Sequence, residues 1–137
     1  MVKKSNEIEV ALSEVVDYLR ITGKFAPALA EVIERKITAE AAKKRGMRVT
    51  TSELQKAADT FRAVNDLSKA RDTERWLRST GISVEFLEEY LETNILISKF
   101  KDTLEKKAHK VKYASKPAIK ETIRDMIYQD WLVNQLK

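Results

Sequence analysis

The stretch from Ser83 to Lys107 reads SVEFLEEYLETNILISKFKDTLEKK. Ser83 stands where a helix cap belongs. After it Leu87, Tyr90, Leu91, Ile95, Ile97, Phe100 and Leu104 recur at helical spacings, spread over more than one face. A helix with so broad an apolar arc has to be covered on two sides. It therefore predicts partners packed against it on two sides.

Downstream, Ser115-Lys116-Pro117 reads as a fresh start, followed by Ile119, Ile123, Met126, Ile127, Trp131, Leu132 and Leu136. This closing helix is expected to return to the core. Upstream, Thr50, Thr51 or Ser52 caps a helix whose narrow stripe is Leu54, Ala57, Ala58 and Phe61, and a short helix holding Trp76 and Leu77 stops at Gly81. Before these, Pro27 opens a helix over about 26–45 carrying Leu29, Val32, Ile33, Ile37 and Ala41, and Gly46 followed by Met47 suits a left-handed Schellman stop. The first helix is expected over about 6–20, from Ile8, Leu12, Val15, Val16 and Leu19, ending at Gly23. No segment alternates with period two between turn signals. The expectation is an all-α protein of about six helices in one domain: core helices in 1–107, a basic connector over 108–116 and the closing helix over 117–137.

The chain has 137 residues, enough to bury a core without staples, and no Cys, so disulfides are excluded. With one His as well, zinc sites, iron-sulfur sites and Cys-His nucleophile pairs lack ligands or partners. His109 falls in the basic connector with no acid at helical spacing, and reads as a surface residue. Glu85, Glu88, Glu89 and Glu92 crowd the start of the long helix, where the helix dipole favours carboxylates without any chemistry. The glycines, at 23, 46 and 81, are too scattered to cradle a phosphate. No catalytic residue, metal site or cofactor is expected, and the protein is read as no enzyme.

Between Lys99 and Lys120 there are eight Lys and two acids, within a chain of net charge +5. Lys106, Lys107, Lys110, Lys112 and Lys116 form this basic patch, and a nucleic-acid role would rest on it. A helix-turn-helix around Gly46 fails, because Ser52 and Gln55 occupy positions that should be apolar, and Glu53 and Asp59 would meet phosphate. The first ten residues carry Lys3, Lys4, Glu7 and Glu9 with no apolar run behind them, which reads as a cytoplasmic chain without an export signal or membrane span. Aromatics concentrate in the second half. Trp76, Phe86, Tyr90, Tyr128 and Trp131 are the candidate peptide-binding residues, offering large contact area at low entropic cost.

In order along the chain stand LAEVIER from Leu29, KRGMRVT from Lys44, SELQ from Ser52, DTFR from Asp59, Trp76-Leu77, Gly81-Ile82-Ser83, Phe86-Leu87 and Asn94-Ile95-Leu96. This run resembles the amino-terminal chaperone domain of parvulin-type peptidyl-prolyl isomerases, the SurA-like family, over about three-quarters of the chain once the closing helix is included. In that family a parvulin catalytic domain is inserted after the long helix. Here about a dozen mostly basic residues take its place. The resemblance implies the binding module without the isomerase, and related domains accompany peptide-maturation and export systems in bacteria. The expected function is chaperone-like binding of exposed hydrophobic segments of an unfolded or extended polypeptide or a peptide precursor, in a groove walled by the long and closing helices. Alternatives are a basic nucleic-acid-associated protein and a structural homodimer made by exchanging the C-terminal helix, separable by salt dependence and sedimentation.

Overall fold

A computed structural model describes residues 3–5, 8–106 and 117–136, and six helices with one two-stranded ladder account for nearly all of them. The expected all-α class holds. The chain divides into two compact units, Met1–Arg35 and Lys36–Lys137, with the boundary inside a helix. The connector residues at 108–116, and with them His109, Lys107, Lys110, Lys112 and Lys116, lie outside the described residues.

In the first unit the amino terminus departs from the expected helix over 6–20. β1 (Lys3–Ser5) and β2 (Ile8–Val10) pair antiparallel, with Ser5 opposite Ile8 and Lys3 opposite Val10. The physical reason is local. Ile8-Glu9-Val10 places β-branched residues on alternate positions, which suits a strand. Helix α1 (Leu12–Ile21) starts only after Ala11, whose extended backbone forms the cap while Glu14 reaches back to its N–H. At Gly23 (φ +71°) the helix ends, with Lys24 N–H bonded to the Leu19 carbonyl at 2.8 Å. Helix α2 (Phe25–Lys44) follows, with Pro27 in a first turn whose N–H groups have no helical partner to lose.

The second unit holds the core. α2 closes in the expected Schellman geometry: Met47 N–H donates to the Ala42 carbonyl and Gly46 N–H to the Lys43 carbonyl, both at 3.0 Å. Helix α3 (Thr51–Val64) opens with a full capping box, Thr50 Oγ1 accepting from Glu53 N–H at 3.1 Å and Glu53 Oε1 from Thr50 N–H at 3.0 Å. Asp66 takes the left-handed position (φ 56°) in the turn to helix α4 (Ala70–Thr80). Arg62 ties that turn together, its Nε donating to the Leu67 carbonyl and Thr73 Oγ1 at 3.1 Å each, and its Nη2 to the Ser68 carbonyl at 2.8 Å.

Helix α5 (Val84–Lys106) packs on α3 along one side and on helix α6 (Pro117–Leu136) along the other, the two-sided burial its apolar arc predicts. Leu96, Phe100 and Leu104 of α5 meet Tyr128 and Leu132 of α6 and the small Ala39 and Ala42 of α2 in one cluster. Thr38 Oγ1 and the Tyr128 hydroxyl share a buried hydrogen bond of 3.0 Å, giving the tyrosine a polar partner inside the core. Around the α5–α6 seam, Arg124 bonds Asp102 at 3.1 Å and the Ser98 carbonyl at 3.1 Å, while Lys101 faces Asp125 and Lys120 faces Glu105 at 3.8 Å each.

Candidate functional site

The candidate site is a groove between α3 and α5. Leu91 is buried beneath it, half-buried Ala57, Phe61 and Ile95 make its apolar floor, and Val64 and Tyr90 project at its edge. Thr60, Asn65, Asn94 and Ser98 supply a rim of uncharged polar groups. Its volume is about 700 Å³, within the range of about 300–1,000 Å³ usual for a binding cleft. The α3 wall arises from residues at 57, 61 and 64, spaced four and three apart, so that they fall on one helix face. Ala57 is the smallest of the three, and its short side chain leaves room between the helices.

One end of the groove is fixed electrostatically. Lys99 Nζ lies 2.8 Å from Glu53 Oε2 and also donates to the Arg48 carbonyl at 2.7 Å, bridging α5 to the turn before α3. The hydrogen bond from Lys99, with the Thr50 N–H adding to it, holds the Glu53 carboxyl well below its ordinary 4.5, at about 2. Glu53 is therefore a carboxylate at neutral pH and is already engaged, which leaves Lys56 as the groove's other charged rim residue.

The five aromatic candidates separate. Tyr90 lines the groove and is 43% exposed. Phe86, 59% exposed, sits one turn before it on α5, outside the lining. Trp76 packs edge-on against Phe61 at 5.5 Å, touching a groove residue without lining the groove, and it also borders a smaller cleft with Asp72 and Arg75. Tyr128 is only 8% exposed and belongs to the core. Trp131 stacks beside it and meets the Phe100 ring edge-on at 4.8 Å. The seam between α5 and α6 is thus filled by side chains, and the groove opens on the opposite side of α5 from the one expected. Its α3 wall escaped the sequence reading because a stripe as narrow as Ala57 to Val64 looks like ordinary core packing. The i, i+4, i+7 recurrence was the only available signal.

Of the basic patch, Lys106 is described, exposed in the last turn of α5, where a cation suits the helix dipole. Within the wider Lys-rich stretch, Lys99, Lys101 and Lys120 each face a carboxylate. Among the described residues no cluster of three or more His, Asp or Glu is arranged to hold a metal ion. No helix there is long and apolar enough to cross a membrane. No protein-family model, curated protein or solved structure matches the chain.

Proposed function

We propose that this protein is a non-catalytic, chaperone-like binding module that takes up an apolar segment of another polypeptide in the α3–α5 groove, consistent with its resemblance to the SurA-like chaperone domains. The observation that carries the reading is the groove itself: an apolar floor, open along its length, with uncharged hydrogen-bonding side chains on its rim beside Glu53 and Lys56. Both walls are helices, whose backbone groups are already paired internally. An extended peptide would find few partners for its own N–H and C=O groups there. An amphipathic helix satisfies its backbone by itself, so the occupant is a helical segment with anchors at i, i+3, i+4 and i+7. The wall from residue 53 to 65 accommodates about three helical turns. Ordering such a segment offsets part of the burial gain, so affinity falls in the micromolar range, roughly 1–100 μM.

The test is fluorescence anisotropy with a labelled amphipathic peptide of about 15 residues, with leucines at those four positions. Wild type binds, and affinity changes little between low and moderate salt because no buried charge pair is involved. Val64→Lys, at a 78% exposed groove position in the last turn of α3, leaves the fold intact and weakens binding about tenfold or more. Met126→Lys on the exposed face of α6 does not. Equal affinity for wild type and Val64→Lys overturns the groove assignment.

A further inference from the structure

We infer that the α3–α5 groove has a direction: it takes its helical occupant antiparallel to α3, with an acidic side chain of the occupant's last turn on Lys56. The inference rests on the peptide-binding reading above. Lys56 is exposed on the rim, and Glu53 is the other charged residue lining the groove. Glu53 and Asp59 stand three residues to either side of Lys56, a spacing at which helix side chains pair. Neither pairs with it. Glu53 is held by Lys99 Nζ at 2.8 Å, and Asp59, outside the lining, accepts from Gln55 Nε2 at 2.9 Å. Among the described residues no carboxylate is bonded to Lys56. Of the charged side chains lining the groove, Lys56 is therefore the one left uncompensated, a cation towards the amino-terminal end of the α3 wall.

The opposite end of that wall has the complementary character. Asn65, at the C-cap of α3, commits its amide N–H to the Phe61 carbonyl at 2.8 Å, which leaves its side-chain oxygen as an acceptor on the groove lining. The last carbonyls of α3 add partial negative charge at the same end. A docked helix brings unpaired N–H groups in its first turn, which need acceptors, and unpaired carbonyls in its last turn, which favour a cation. An acceptor at Asn65 and a cation at Lys56 thus match a helix running antiparallel to α3 and oppose one running parallel to it. The lengths agree as well. Residues 56 and 65 are about 13 Å apart along α3, and anchors from i to i+7 span about 10 Å. An acid at i+11, one turn beyond the last anchor and on the same face, then reaches Lys56 while the first turn lies against Asn65.

Fluorescence anisotropy with labelled peptides of about 18 residues, all sharing the four leucine anchors, reads the direction. Two of them carry Glu or Gln at i+11, and two carry Glu or Gln at i−4. On wild type, Glu at i+11 binds about two- to fivefold tighter than Gln there, the scale of an exposed ion pair, and the preference disappears in about 1 M salt. Glu at i−4 binds no tighter than Gln. Lys56→Gln abolishes the preference but keeps the affinity for the peptide with Gln at i+11, which checks that the groove is intact. Lys56→Glu reverses the preference. Equal affinity of wild type for the two i+11 peptides, a preference for Glu at i−4 instead, or a preference that survives Lys56→Gln overturns the direction and leaves the groove reading standing. Failure of every peptide to bind wild type removes the groove reading, and the direction with it.

Discussion

Truncating Leu132 to alanine measures how firmly the closing helix is docked. Leu132 is 1% exposed and packs in the cluster of Leu96, Phe100, Leu104 and Tyr128. Removal of its outer carbons forfeits their transfer energy and leaves a cavity that the large Phe100 and Leu96 side chains fill only in part, a cost of about 3 kcal/mol within the usual 2–5. Alanine is the better helix former, so none of that loss comes from propensity. The neighbouring Val133 is 53% exposed, and Val133→Ala should change stability by no more than about 0.5 kcal/mol. The assay is urea unfolding followed by far-ultraviolet circular dichroism and by tryptophan fluorescence, to which Trp131 against Phe100 contributes a core signal. With a urea m-value of about 1–3 kcal/mol/M, the Leu132→Ala midpoint falls by roughly 1–3 M, and the Val133→Ala midpoint barely moves. Equal small losses for both variants would refute the docked closing helix, and with it the core on which the groove is built.

Other outcomes follow from single contacts. Glu53 has its folded pKa lowered from 4.5 to about 2, so the unfolded chain binds the proton more readily. Its contribution to stability is complete above pH 4.5 and is lost as pH falls towards about 2. Thermal melts across this interval should slope less for Glu53→Gln than for wild type. Gly46→Ala meets no atom within 4 Å but forces an L-residue to φ +80°, and should cost about 1 kcal/mol in urea unfolding, from the backbone alone. Arg62→Lys cannot span the Leu67 and Ser68 carbonyls and Thr73 together, and should cost about 2 kcal/mol, with α4 amides losing hydrogen-exchange protection before those of α5.

Helix content and helix ends were legible because they depend on neighbours in the chain. Gly46 before Met47 and Gly81 mark stops whose geometry the backbone imposes, and the run Thr50 to Ser52 marks a start, although only the structure picks Thr50, through its box with Glu53, from those three. The one local misreading, at Ile8 to Val10, came from a short apolar run that fits a helix period and a strand equally well, and pairing with Lys3–Ser5 settles it as strand. Two-sided burial of α5 was legible too, from the width of its apolar arc.

Which residues share a surface was not legible, because periodicity gives the face of a helix and not the element that face meets. Tyr90 and Tyr128 are both aromatics on apolar-striped helices. The packing of α6 over Phe100 and Leu104 buries one, and the groove between α3 and α5 leaves the other at its edge. The chain's order of residues therefore determines its helices and their termini through local sterics and hydrogen bonding. The groove exists because two particular helices meet with too little side-chain volume to fill the space between them, and that is a property of the assembled fold.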